Sequence, residues 1–459
     1  MSVSAASVPA ARLPIAPGPR YRTPFAFLRD IRTDILGFLE GMHGRYGDVV
    51  CARPGWLYSY LVCRPEHAKH VLVDNHKAYR KGVVFQNLRR VAGDGLILSE
   101  GELWKRQRRL IGPSFHRKRI AEMGPLVVGA IQDLLDRWET DHRDGEPFDV
   151  LPEMSKLALD AVCRAMFGTD ILDRADTFHR TVGEALAYAN YLINTFLPLP
   201  FWFPTRRNLR ARRTLREGQE MIREIIRSHR ERGVDQGDLL STMLAARDDE
   251  TGEGMSERQL LDEMQTFLVA GHETTAVALA WAFHLLGRDP EAAQRLRDEV
   301  DAVVGSRPPG FEDVPRLGFA RRVIDESLRL YPPALATGRQ ALEEDAIDGW
   351  RIPKRANVTI SIWVTHRHPE LWDEPERFDP DRFLPERSQG RPRLAYLPFG
   401  AGPRRCIGED FALIEATLAL ASIAQRFRVE AASDRPVAPR PLLTLRPAEP
   451  IRVRIESRS

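Results

Sequence analysis

Cysteine is scarce. Cys51, Cys63, Cys163 and Cys406 are the only ones in 459 residues, and no two share the C-x-x-C spacing of a metal clip. A large, charged chain with so few thiols carries no disulfide framework and suits a reducing compartment, so a cytoplasmic location is expected. Charge of one sign is lacking too: the net charge is +3, and the arginines are interleaved with acids along the chain. That excludes the clustered basic surface that nucleic-acid binding needs. Long apolar runs are missing as well. The opening MSVSAASVPAARLPIAPGPR has neither a basic n-region nor a sustained apolar stretch, and the stretch Tyr191–Phe203 is broken by Asn194, Pro198 and Pro200. No signal peptide, spanning helix or stable membrane anchor is expected, and the protein should be soluble. Gly/Ser runs, Pro tracts and internal repeats are absent, which leaves no linker. Residues 1–16 are read as a flexible lead and 17–459 as one folded domain, expected to be a monomer.

What is present is ordinary globular material, 43% hydrophobic and 29% charged. Short β-like runs lie at 47–63 and 341–364, the second with the turn pair Asp348-Gly349. Most of the remainder has helical periodicity. The clearest helix starts at Ser256, where S-x-x-Q with Gln259 forms a capping box, and stops at Gly287 with Pro290 beyond. At 1.5 Å per residue it spans roughly 45 Å. Its centre, Phe267 to Ala280, is apolar almost all round except for His272, Glu273, Thr274 and Thr275, so it is a buried helix whose polar groups need a reason. Asp289-Pro290 opens the next helix, another over about Ala320–Leu330 is stopped by Pro332-Pro333, and a last one starts near Gly408. The class is mainly α with a small β-rich region.

The strongest signal is the loop Phe399-Gly400-Ala401-Gly402-Pro403-Arg404-Arg405-Cys406-Ile407-Gly408. A thiolate ligand needs a favoured anion and a rigid loop to aim it. Cys406 lies just ahead of a predicted helix, whose N–H groups favour the thiolate, and Gly400 and Gly402 permit a tight hairpin near a flat cofactor. A lone cysteine is more often a buried structural residue, as expected of Cys63 and Cys163. The full pattern F-G-x-G-x-R-x-C-x-G, however, resembles the haem-binding signature of the cytochrome P450 family at every defined position. The resemblance implies the P450 fold, a triangular α prism with a β-rich corner. It implies haem b held by Cys406 as the metal ligand, with Phe399 and Gly408 around it and Arg404 on a propionate.

Other parts of the chain carry the same likeness. Glu326 and Arg329, at i, i+3, resemble the family's E-x-x-R pair, common as a surface pair but structural here. The third member is read as Arg382, because Trp372, Pro375, Phe378, Pro380, Arg382 and Phe383 fit W-x-x-P-x-x-F-x-P-x-R-F, and not as Arg377. Ala270-Gly271-His272-Glu273-Thr274-Thr275 resembles the oxygen-activation motif. It implies that Gly271 and Thr274 loosen the helix ladder, with Thr274 and Glu273 catalytic in oxygen use and proton delivery, and His272 a packing or water-network residue. The bland alternative is a Thr bonded to the i−4 carbonyl beside a solvent-facing Glu. Trp104 and Arg108 in W-x-x-x-R, with Arg339, resemble the remaining propionate donors.

The family implies a monooxygenase that inserts one oxygen atom from O2. Its electrons come from NAD(P)H through separate partners, a ferredoxin or flavodoxin with its reductase. Lys105, Arg106, Arg109 and Arg405 are read as a docking face for such an acidic partner. By family position the pocket draws on Ile97, Leu268, Ala270, Ala334, Leu335, Thr337, Leu442 and Leu443, nearly all aliphatic, so an apolar fatty acid or terpenoid is expected. The segment FLPLPFWFP resembles a lid, with a transient membrane or partner contact as the other reading. Where related fatty-acid hydroxylases place an Arg and a Tyr to hold a carboxylate, this chain has Trp56 and Tyr60, half of that anchor. A peroxide-driven peroxygenase of the same fold and a non-enzymatic haem carrier or sensor are the alternatives.

Overall fold

The computed structural model describes residues 12–82, 88–89, 93–142, 145–168, 175–195, 199–233, 235 and 237–458. Its contacts divide the chain into two compact units, each assembled from separated stretches. The first contains residues 1–86, 334–377 and 389–406; the second contains 87–333, 378–388 and 407–459. Of the lead read as flexible, residues 1–11 lie outside the described ones. Further along that lead, the Pro14 carbonyl accepts the Arg351 N–H at 2.8 Å and Ala16 is buried, so its end is packed and not free.

The first unit is built on a six-stranded sheet in the order Arg20–Tyr21, Val49–Pro54, Ser59–Val62, Asn357–Ser361, Ala336–Ala341, Tyr79–Lys81. Val49–Pro54 and Ser59–Val62 form a hairpin, and the second of these pairs in parallel with Asn357–Ser361. Strands Asp345–Ile347 and Trp350–Ile352 meet through Asp348 and Gly349, both at positive φ (50° and 76°), the backbone that an Asp-Gly hairpin turn requires. The short strands Arg20–Tyr21 and Tyr79–Lys81 gave no sequence signal, being too short for periodicity.

The second unit is mainly helical, and the helix Glu257–Leu286 runs through it. Ser256 caps it by accepting the Gln259 N–H at 3.2 Å, which stabilises such a terminus by about 1 kcal/mol. The reciprocal half of the expected capping box is not made: the Gln259 side-chain oxygen takes Arg106 instead, at 3.1 Å. Helix Val150–Phe167 packs along it, and Gly271 permits the approach, because a Cβ there would lie 2.9 Å from Val162 Cγ2. The helix is α-helical from end to end, so Gly271 serves close packing and does not interrupt the ladder. Helix Pro290–Val303, capped by Asp289, helix Gly318–Leu330 ahead of the proline pair, and helix Glu409–Arg426 follow the expected boundaries.

On the long helix, consecutive carboxylates dock the loop 93–99. Asp262 accepts the Asp94 N–H at 3.1 Å, and Glu263 accepts the Leu96 N–H at 2.8 Å. Burial pushes the Glu263 carboxyl up to about 8, against the pull of the Leu96 N–H. The folded chain therefore keeps a proton that the unfolded chain releases above about 4.5. This stabilisation is complete at low pH and is lost as pH rises through about 8. Glu263→Gln keeps an acceptor for Leu96 without a charge. Its stability advantage over the parent chain is expected to grow by on the order of 2–3 kcal/mol between pH 6 and pH 9, read from urea midpoints. A constant difference at both pH values would show that Glu263 is already ionised.

Candidate functional site

The thiol loop belongs to the first unit. Residues Gly402–Arg404 make one 3₁₀ turn, the Cys406 N–H donates to the Phe399 carbonyl at 3.0 Å, and Gly400 N–H donates to Leu397 at 3.0 Å. Gly400 and Gly402 have φ of 70° and 71°, open to glycine at little cost. Gly402 has a second task, different from the expected approach to a cofactor. A Cβ there would stand 1.8 Å from the Leu72 carbonyl oxygen, so the loop is seated backbone-to-backbone on residues 70–74. Nothing lies within 4 Å of a Cβ built on Gly400, which leaves room beside that part of the loop.

Among the cysteines, Cys406 alone is exposed. Cys51, Cys63 and Cys163 are buried, and burial pushes each of those thiols up, away from the thiolate. The same unit carries Arg339 on strand Ala336–Ala341, part-buried and donating to Thr337 Oγ1 at 3.0 Å, as well as Arg404, Ala334 and Leu335. Tyr60 is buried, and its hydroxyl donates to the Arg351 carbonyl at 2.5 Å, while Trp56 is 81% exposed. The half-anchor for a carboxylate expected at these positions is therefore already engaged.

In the second unit the long helix is buried from Leu260 to Leu286 except at Val269, Ala270, Gly271 and Thr274. Positions 270 and 274 lie one turn apart on one face, whereas Gly271 meets Val162 and Val269 packs on the core, so the opening is at Ala270 and Thr274. Thr274 Oγ1 donates to the Ala270 carbonyl at 2.7 Å, the i−4 bond of a mid-helix threonine. Glu273 does not face solvent. It is 3% exposed and bidentate to Arg446, at 2.5 and 2.6 Å, and it accepts the Thr444 hydroxyl at 2.8 Å. Burial by itself would raise this carboxyl, but Arg446, Thr444 and His272 outweigh it and hold it below its ordinary value. A carboxylate so held fixes the strand Leu445–Pro447 and the adjoining Leu442–Leu443 to the helix. His272 is buried, as expected of packing.

Trp104 and Arg108 share a face of helix Gly101–Ile111, both part-buried. Leu268 is a core residue, 3% exposed, within a cluster against which Trp104 and Leu443 pack; the opening falls at Ala270 and not at Leu268. Ile97 is 39% exposed in the loop docked by Asp262 and Glu263. Lys105, Arg106 and Arg109 do not form a bare positive face. Lys105 pairs with Glu102 at 2.6 Å, Arg109 with Asp248 at 2.9 Å and Glu250 at 3.0 Å, and Arg106 meets Gln259 and the Gly254 carbonyl.

Glu326 and Arg329 are fully buried, with Arg329 Nε and Nη2 donating to the two carboxylate oxygens at 2.7 and 2.8 Å. Arg382 Nε donates to Glu326 Oε1 at 3.2 Å, whereas Arg377 pairs with exposed Glu374. Sequence reasoning missed Glu415 on helix Glu409–Arg426, whose carboxyl burial raises well above its ordinary range beside Thr275. The available signal was an acid inside the apolar run FALIEATLALA.

Each unit carries residues whose chemistry suits haem: in the first, an exposed thiol on a glycine-bent loop with Arg339 and Arg404; in the second, Arg108 and a helix opened at Ala270 and the Thr274 hydroxyl. The profile "Cytochrome P450" matches residues 17–455. The chain is 40% identical over 428 residues to cyclooctatin synthase of Streptomyces melanosporofaciens, covering 92% of this chain and 91% of that protein. It is 39% identical to cyclooctat-9-en-7-ol 5-monooxygenase of the same organism, over 86% of this chain and 85% of that one. It is 34% identical to pentalenene oxygenase of Streptomyces avermitilis, over 92% and 93%. Among solved structures it resembles the cytochrome P450DA heme domain, with a TM-score of 0.88 at 28% identity over 97% of this chain and 98% of that one. Among the described residues, no helix is long and apolar enough to cross a membrane. The chain belongs to the cytochrome P450 family and is a haem-iron monooxygenase with that family's fold.

Proposed function

We propose that this monooxygenase hydroxylates an uncharged terpenoid, with haem b ligated by Cys406 and its propionates met by Trp104, Arg108, Arg339 and Arg404. Phe399 and Gly408 complete the loop around the ligand. The observation that carries the substrate class is the opening on the long helix: Ala270 and the Thr274 hydroxyl, with the neighbouring carboxylate of Glu273 already neutralised by Arg446. Such a surface has nothing to pair with a charged substrate, and an unpaired buried charge is costly. The engaged Tyr60 hydroxyl removes the reason to prefer a fatty acid. The names of the relatives, which specify cyclooctat-9-en-7-ol and pentalenene, point the same way. Ile97, Ala270, Ala334, Leu335, Thr337, Leu442 and Leu443 are the proposed substrate contacts.

Bound haem supplies the iron at which oxygen is activated; the chain's residues hold it and control water and protons around it. Thr274 presents the hydroxyl of the opening, positioned by its bond to Ala270. Glu273 keeps the 442–447 segment in place, so its contribution runs through Arg446 and Thr444. Electrons are proposed to come from NAD(P)H through a ferredoxin or flavodoxin and its reductase. The chain passes between its two units after residues 86, 333, 377, 388 and 406, which supports one cooperative domain over residues 17–459.

The test is turnover of a panel of cyclic terpenes and medium-chain fatty acids with surrogate ferredoxin, reductase and NADPH under ¹⁸O₂. One labelled oxygen in a terpene product, with far slower turnover when hydrogen peroxide replaces the reductase, is expected. Product from peroxide alone would make the chain a peroxygenase, and oxidation of the fatty acids alone would remove the terpenoid assignment. Thr274→Ala is expected to bind haem normally while roughly tenfold more of the NADPH consumed ends as hydrogen peroxide, with Thr274→Ser restoring coupling. Coupling unchanged in Thr274→Ala would leave the hydroxyl only its structural bond to Ala270.

A further inference from the structure

The segment on which the thiol loop is seated has an uncommon backbone. Residues His70–Asp74 form a single π-helical turn after the short helix Pro65–Lys69, closed by the Asn75 N–H donating to the His70 carbonyl at 2.8 Å. Such turns are rare and recur at functional sites. Here one carboxylate holds it. Asp345, on strand Asp345–Ile347, receives His70 Nε2 at 2.8 Å, the Asn75 side-chain amide at 3.0 Å and the Tyr79 hydroxyl at 2.5 Å, all on Oδ2. Its Oδ1 receives the Ala346 N–H at 2.8 Å. His70 opens the turn and Asn75 follows its last residue, so a single oxygen grips both ends.

The Asp345 side chain is 12% exposed. Burial by itself would raise its carboxyl, but His70, Tyr79 and the Ala346 N–H outweigh it and hold it at about 2, so it is ionised at neutral pH. Hydrogen bonds to an ionised acceptor are stronger than those between neutral groups. None of the donors gathered there belongs to the residues assigned to haem or substrate.

From the turn the path to Cys406 is short. A Cβ on Gly402 would stand 1.8 Å from the Leu72 carbonyl oxygen and 3.4 Å from Val73 Cα, so the 3₁₀ turn Gly402–Arg404 lies on the middle of the π turn. The Arg405 N–H closes that 3₁₀ turn on Gly402 at 3.0 Å, and the Cys406 N–H returns to Phe399. Backbone packed on backbone leaves no flexible side chain to absorb a shift, so displacement of one turn is passed to the other. We propose that Asp345 is a positioning residue for the Cys406 thiolate: it fixes the π turn 70–74, and that turn fixes the seat and aim of the thiol loop. All of these residues lie in the first unit, and the inference rests on Cys406 being the haem ligand.

The test uses the haem-loaded full chain and two readouts besides turnover. One is hydrogen exchange at the amides of residues 399–406; the other is the thiolate-type Soret band of the reduced carbon monoxide complex in urea below the unfolding transition. Asp345→Asn, nearly isosteric but uncharged, is expected to speed exchange at Cys406 roughly tenfold and to lose the band at lower urea than unfolds the chain. His70→Ala should act in the same direction and more weakly, and His70→Gln, which returns an N–H donor, should recover most of the parent's behaviour. Asp48→Asn is the matched control. Asp48 is likewise held at about 2 against burial, by His368 at 3.0 Å, Arg64 and His43 at 2.9 Å, none of them in the turn 70–74. Its loss should lower the unfolding midpoint and leave the band and the loop exchange tied to that midpoint. If Asp345→Asn and His70→Ala lose the band only as the whole chain unfolds, or if Asp48→Asn loosens the loop as much, the proposal is overturned. A band that survives Cys406→His would remove the ligand assignment and this inference with it, whereas a band lost in Cys406→His and unmoved in both Asp345→Asn and His70→Ala would remove the inference alone.

Discussion

Glu326→Ala is expected to destabilise the second unit by roughly 3–5 kcal/mol, enough to leave much of the chain unable to retain haem at ordinary temperature. The size follows from what remains after truncation. Glu326 Oε1 receives Arg329 Nη2 at 2.8 Å, Arg382 Nε at 3.2 Å and the Asp379 N–H at 3.0 Å, and Oε2 receives Arg329 Nε at 2.7 Å. Glu326 and Arg329 have no solvent exposure, and Arg382 very little, so two guanidinium groups and one amide would lose their acceptor where water cannot replace it. Arg382→Ala removes the longer bond to Glu326 and keeps the bidentate Arg329 pair, so its cost should be smaller, about 1–3 kcal/mol. Replacing Glu326, Arg329 and Arg382 together with leucine and methionine should come closer to neutral than Glu326→Ala, because no buried charge is stranded. Arg377→Ala, which breaks the exposed pair with Glu374, should cost less than Arg382→Ala. Urea denaturation of the series measures each value. An Arg377→Ala cost as large as that of Arg382→Ala would reverse the assignment of the third member.

This contrast also marks what a sequence conveys. The Asp348-Gly349 turn, the Ser256 cap, the Gly287 stop and the proline-terminated helices were legible, because each depends on residues a few positions apart. The apolar centre of the long helix was legible for the same reason, and so was the odd presence of Glu273 within it. Its partner was not: Arg446 lies 173 positions along the chain, and periodicity carries no information across that distance. Glu273 was read as a residue that helps pass protons inward, and its buried ion pair with Arg446 could not be foreseen. Gly402 was read as room for a flat cofactor, and its tightest neighbour is the Leu72 carbonyl, another non-local contact. Leu268 was placed at the pocket by family position; it lies in the core cluster, two residues and about 200° of helical rotation from the more open Ala270. The basic run at 105–109 was visible, whereas the acids of residues 248–250 that neutralise Arg109 were not.

Cys406→His is expected to abolish the thiolate-type Soret band of the reduced carbon monoxide complex and to lower monooxygenase turnover by roughly a thousandfold or more. Four thiols are available in principle, and burial separates them. Cys163 lies in an apolar core cluster and Cys63 is fully buried, which penalises a thiolate at either, and Cys51 lies in the core of the first unit's sheet with its sulfur 3.8 Å from the Ala52 carbonyl. A thiolate ligand must be deprotonated, so these three are poor candidates however near iron they came. Cys406 is exposed, and its own backbone N–H is tied to Phe399, so the loop rather than the side chain bears the cost of ordering. Imidazole at position 406 can still ligate iron, so the variant should retain haem with an altered spectrum, which separates loss of the thiolate from loss of the fold. Cys63→Ser and Cys163→Ser provide the converse. Each buries a hydroxyl and should cost about 1–3 kcal/mol in stability while leaving the thiolate band in place. If the band survives in Cys406→His and disappears in Cys163→Ser, the ligand assignment moves to Cys163.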